Sequence, residues 1–157
     1  MNFVNDTFEE FADFFTGECE AGEMLAHAEI LNRPALDYSL DSLKVVDEYL
    51  ERLFECRPER MGRDWVNVIL WGGAYVGEVI RRNARRKYNW VDFDDWLDEH
   101  PEQSQFLGTE KELQVCAFLT PGGGAFTLPL NKVYKFIATG PEDSVWFYAM
   151  GELKAGA

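Results

Sequence analysis

Histidine, cysteine and basic residues are the scarce components of this 157-residue chain. Only His27 and His100 are present, in separate segments, and G-x-S-x-G, H-E-x-x-H, G-x-x-x-x-G-K-[ST] and G-x-G-x-x-G are all missing, so hydrolytic, zinc and nucleotide chemistry have no sequence foothold. The three cysteines, Cys19, Cys56 and Cys116, are widely spaced with no C-x-x-C, which argues against a disulfide framework and against a zinc site and implies a reducing compartment. Lys and Arg total 15 against 28 Asp and Glu, a formal net charge of −13 that repels nucleic acid and anionic lipid and favours basic partners. The unbroken apolar run is only Val68 to Val76, far short of the ~20 residues that cross a bilayer. The segment Met1-Asn2-Phe3-Val4-Asn5-Asp6 has an acid where a signal peptide has Lys or Arg. The expected setting is therefore cytoplasmic, with no membrane partner, no cofactor and no metal site.

What the chain has in plenty is aromatic and aliphatic residues around residues 64–83. Read as a helix, Trp65, Val66, Val68, Ile69, Leu70, Trp71, Ala74, Tyr75, Val76, Val79 and Ile80 leave no continuous polar face, and a helix apolar all round is buried on most sides. Gly72, Gly73 and Gly77 lie inside it, each costing about 1 kcal/mol relative to alanine. Gly73 and Gly77 share one face, so a partner element is expected to press against that strip. This is the predicted central helix of a single α+β domain spanning 1–157, helical in its N-terminal half, with a small antiparallel sheet or hairpin and one or two helices in the C-terminal half.

Upstream, Asn5, Asp6 and Thr7 offer an N-cap for a helix in which Val4, Phe8, Phe11 and Phe15 recur at helical spacing until Gly17. Five phenylalanines between Phe3 and Phe15 exceed what one short helix usually buries. Covering the central helix is the plainer account, and a partner-binding face the sharper one. A second short helix is predicted from about Glu18 to Leu31, ending before Arg33-Pro34. Leu36, Leu40, Leu43, Val46, Leu50, Leu53 and Phe54 then form one stripe, with Ser39 as N-cap and Asp41, Lys44, Asp47, Glu48 and Glu51 facing water. The short return through Arg57 to Arg63 predicts an antiparallel pairing of this helix with the central one, with Arg57, Arg60 and Arg63 at one end and Arg81 to Lys87 at the other.

Downstream, Tyr88 to Val91 predicts a strand, Asp92 to Pro101 an acidic turn with about one helical turn, and Gln114 to Thr120 with Ala125 to Leu128 a hairpin across Pro121 to Gly124. Pro129 predicts a helix start closed by Gly140-Pro141. Val145 to Met150 reads as a further helix, with strand as the alternative because Val, Trp, Phe and Tyr favour it.

Three groups carry candidate chemistry. Glu78 is a carboxylate on an apolar helix, the environment that raises a pKa unless the group is paired, and Arg82 four residues on can pair with it. Glu78, Tyr75 and Arg82 are thus the candidate ligand- or partner-binding residues, with Glu78 the only catalytic candidate and a structural ion pair the stronger reading. The basic segment Arg81, Arg82, Arg85, Arg86 and Lys87, with Tyr88 and Trp90 behind it, has the composition of a nucleic-acid contact. Cations at a helix C-terminus are equally what the macrodipole favours, and the surrounding acidic field weighs against a polyanion. The acidic run Asp92, Asp94, Asp95, Asp98, Glu99 and Glu102 fails the EF-hand template, with Trp96 and Leu97 where a ligand and the glycine belong, and reads as a solvated loop.

The segments Ser42-Leu43-Lys44-Val45-Val46-Asp47, Gly73-Ala74-Tyr75-Val76-Gly77-Glu78-Val79-Ile80 and Pro129-Leu130-Asn131-Lys132-Val133 resemble a family of small bacterial proteins built on a domain of unknown function, over about residues 36–150. The resemblance implies a bacterial, cytoplasmic setting and carries over no catalytic residue. The expected function is a non-enzymatic protein-binding module with an acidic surface and a basic partner, similar in size and charge to bacterial immunity proteins by analogy alone. The alternatives are a small-ligand sensor or enzyme with a pocket near Glu78, and nucleic-acid binding through 81–87.

Overall fold

The computed structural model describes residues 2–20, 22–56 and 62–155. Helix α1, Phe3–Thr16, starts one turn earlier than its Asn5-Asp6-Thr7 signal, because the Asn2 side chain accepts from Asn5 N–H at 3.1 Å and serves as the cap. It ends at Gly17, which takes φ +85 and donates to the Asp13 carbonyl. Arg33 Nε then donates to the Phe15 carbonyl at 3.0 Å, satisfying an end that has no helical partner left.

The predicted helix over Glu18 to Leu31 does not form. Ala21 lies outside the described residues, and the rest is turns with a single 3₁₀ turn at Ala28–Ile30. Its backbone groups bond to other elements. Ala26 N–H donates to the Asp64 carbonyl at 3.1 Å, the Met24 carbonyl accepts from Asn67 at 2.9 Å, and the Ala26 carbonyl accepts from the buried Tyr49 hydroxyl.

Helix α2, Ser42–Cys56, begins where Ser39 Oγ accepts from Ser42 N–H at 3.2 Å, and buries Leu43, Val46, Leu50 and Leu53. The loop expected to gather Arg57 and Arg60 lies outside the described residues, and Arg63 pairs with Glu23 at 2.8 Å. The central segment then runs as α3, Arg63–Asn67, a π-helical turn, Val68–Gly72, and α4, Gly73–Asn83.

Strands β1, Asn89–Asp92, β2, Ala117–Gly122, and β3, Ala125–Thr127, make an antiparallel sheet in the order β1-β2-β3, with Trp90 opposite Leu119. Helix α5, Phe93–Glu99, is longer than the single turn expected of the acidic run, because Asp92 caps it by accepting from the Asp94 and Asp95 N–H groups. Helix α6, Ser104–Leu107, follows. Gln114 and Val115, read as the start of a strand, fall instead in a 3₁₀ turn, Leu113–Val115, and the strand begins at Ala117. Helix α7, Pro129–Thr139, starts at its proline, and the final run is helical, α8, Val145–Ala155.

The result is an α+β fold. Helix α4 is covered by α1 on one side and by α7 and α8 on others, and α2 lies chiefly against α7 and α8 rather than beside the central helix as its short connection led one to expect. Among the described residues no helix is long and apolar enough to cross a membrane.

The glycine strip is a contact face with two different partners. A Cβ at Gly73 would sit 2.8 Å from Leu130 Cα, so α7 approaches here by its backbone. A Cβ at Gly77 would overlap the indole of Trp90, so β1 fills the second notch with a side chain.

Candidate functional site

Glu78 is 1 % exposed, and its surroundings are complete. Oε2 accepts from Arg81 Nη1 at 2.8 Å and from the Trp90 indole N–H at 2.9 Å, while Arg82 Nε stands 3.8 Å from Oε1. The principal partner is thus Arg81, three residues on, and not the Arg82 that i,i+4 spacing nominated. Arg81 also meets Glu9 of α1 at 3.1 Å and donates Nε to the Tyr88 carbonyl. Burial works against its charge, but the bonds to Glu78 and Glu9 outweigh burial and hold its pKa above the ordinary arginine value. Two carboxylates around one guanidinium, closed by an indole, make a clamp joining α1, α4 and β1.

The cleft beside this clamp, about 330 Å³, is lined by Glu9, Glu78, Arg81, Arg82, Lys87 and Tyr88. It is polar, and Tyr75 is not in it. The Tyr75 hydroxyl lies 2.6 Å from Ser42 Oγ and accepts from Tyr38 N–H at 3.0 Å, and burial pushes its pKa up against the pull of those two bonds. Tyr38, in the left-handed region at φ +65, donates its own hydroxyl to Asp13 and receives the Arg82 guanidinium 3.6 Å above its ring. Asn83 binds its carbonyl at 2.9 Å. So the three residues nominated together serve two separate networks, with Arg82 between them, and neither leaves an unoccupied acid poised over an apolar pocket.

Of the basic segment Arg81 alone is drawn inward, and Arg82, Arg85, Arg86 and Lys87 are exposed. Arg86 reaches the Tyr88 ring and hydroxyl, and Arg81 and Arg82 are engaged as above. The acidic run is likewise partly spoken for, since Lys111 bridges Asp92 at 2.8 Å and Asp94 at 3.3 Å. Among the described residues no three His, Cys, Asp or Glu side chains gather as a metal ion needs. A broader groove of about 690 Å³ runs between α5 and the glycine turn, with the His100 ring packed at a tilt against Trp96. Its Gln103 already joins the Trp96 indole to the Gly124 carbonyl, so the glycines serve a hairpin held from below.

Three residues escaped the sequence reading. Asp47, placed on the wet face of α2, instead caps α8: it accepts from Ser144 Oγ at 2.6 Å and from Val145 N–H at 2.7 Å. Asn5 reaches the free edge of β1, accepting from Trp90 N–H at 2.7 Å and donating to Asn89 at 3.0 Å. Leu70, inside the π turn, is the one residue from Asn67 to Ile80 that is not buried. Asp47 and Asn5 are ordinary polar residues at ordinary helix positions, and only the distant backbone groups they meet give them a role. No protein-family model matches this chain, and no curated protein or solved structure matches it either.

Proposed function

We propose that this chain is a protein-binding module without a reaction of its own, whose acidic surface engages a basic partner. The observation that carries the reading is how the charges are distributed. The lysines and arginines at the well-formed ion pairs are held by the chain's own carboxylates, Arg81 by Glu78 and Glu9, Lys111 by Asp92 and Asp94, Lys132 by Asp143. Asp6 and Glu10 on α1, Glu48 and Glu51 on α2, and Asp95 and Asp98 on α5 remain exposed. With a formal charge of −13, this surface steers basic partners toward it and raises their association rate. A reducing, cytoplasmic setting accords with the three free thiols. Glu78 supports this reading over a pocket enzyme, because a general acid or base needs a proton path to substrate and this carboxylate is taken up by Arg81 and Trp90.

The test is binding of two labelled amphipathic helical peptides, one of leucine and lysine and one of leucine and glutamate, at low and high salt. The lysine peptide is expected to bind with an affinity that falls as salt rises, and the glutamate peptide not to bind. Equal binding of both, or binding of neither, overturns the proposal.

A further inference from the structure

A cleft of about 280 Å³ opens where the first turns of α1 meet the π turn and the start of β2, with Phe3, Phe8, Phe11, Leu70 and Ala117 in its walls. Two independent features mark it. Phe3 is 80 % exposed, so the phenylalanine surplus of α1 divides: Phe8 and Phe15 are buried in the core, while Phe3 is left in water at the cleft. Between Asn67 and Ile80 every residue of the central segment is buried except Leu70, which is half-buried and lines this cleft. Leu70 lies inside the π turn, and such turns are frequent at functional positions.

We infer that this cleft receives an apolar side chain carried on a basic segment of a partner protein, an inference that rests on the acidic-module reading above. The volume stands at the lower end of the roughly 300–1,000 Å³ of small-molecule sites, and the charged pair in its lining, Asp92 and Lys111, is bonded to itself at 2.8 Å, leaving little to orient a free ligand. A second copy of the chain brings another −13 and is repelled. A basic segment is favoured on both flanks: Asp6 and Glu10 stand exposed one turn apart on α1, and Asp92 and Asp94 share a single lysine on the other. An apolar anchor seated between acidic rims is the arrangement by which amphipathic helices dock in grooves.

The lysine–leucine peptide, read by fluorescence anisotropy, tests this with two alanine variants. Phe3→Ala is expected to weaken binding about tenfold or more, the loss typical of a central anchor contact, and Phe147→Ala, at a residue 65 % exposed on α8, to leave it unchanged. Phe3 is exposed enough for its truncation to preserve the fold, which circular dichroism verifies. Salt-sensitive binding that survives Phe3→Ala unchanged, or that both variants weaken equally, overturns the cleft while leaving the acidic-module reading in place. Absence of binding to the parent protein overturns both.

Discussion

At Gly77 one added methyl group would overlap an indole that is already fixed by two other contacts, the stacking of Trp90 on Phe8 at 4.4 Å and its bond to Glu78. Gly77→Ala is therefore expected to destabilise the protein by about 1–3 kcal/mol, the cost of overpacking a filled core. Gly73→Leu is expected to cost more, since its obstacle is the α7 backbone, which cannot change rotamer. Chemical denaturation checks both, and an unchanged midpoint for either would show the notch to be slack. The Glu78 clamp gives a sharper contrast. Arg81→Met leaves a buried carboxylate without its main counter-charge, a loss of about 3–5 kcal/mol. Glu78→Gln still accepts from the Trp90 indole and leaves Arg81 paired with Glu9, so its midpoint should fall by clearly less. The reverse order would mean that the guanidinium, and not the carboxylate, is the group the fold cannot leave alone.

Among the elements, α8 begins with help from a helix about 100 positions away in the chain: Ser144 Oγ accepts from Phe147 N–H at 3.1 Å while donating to Asp47, which also takes the Val145 N–H. Asp47→Ala should cost about 1–2 kcal/mol, the range of lost caps, with faster amide exchange at Val145 and Trp146 as its local signature. Exchange that stays slow there would place the anchoring of α8 elsewhere. Helices whose apolar spacing agrees with their burial were legible in the sequence: α2 from its leucine stripe, α7 from Pro129 and Gly140, and the central segment from its lack of a polar face. The stretch from Glu18 to Leu31 was not. Met24, Leu25, Ala28 and Leu31 have helical spacing, but its backbone is bonded to Asp64, Asn67 and Tyr49, and no local pattern records such distant partners. The site divides in the same way. That Glu78 would be buried and paired followed from its position on an apolar helix, whereas the choice of Arg81 over Arg82, the indole of Trp90 and the half-burial of Leu70 depend on where β1 and the π turn lie.

For the molecule as a whole the surplus of acids is the main term that solvent can adjust. At −13 the folded chain repels itself, and screening relieves that repulsion more than it weakens ion pairs as enclosed as Glu78 with Arg81. The melting temperature should therefore rise as monovalent salt is added, most steeply at low ionic strength. A fall would mean that attraction among exposed pairs outweighs the net repulsion. Asn5 bears on a different question, that of the order of events during synthesis. It is 85 positions from Trp90, whose backbone it holds, and at translation rates of about 5–20 residues per second that strand leaves the ribosome roughly 4–17 s after α1 does. Through that interval the indole that covers Phe8, and the strand edge that Asn5 will grip, have not yet been made. The nascent chain thus carries the aromatic flank of α1 unfinished for seconds, and a holdase that recognises aromatic surface has its longest opportunity before residue 90 emerges.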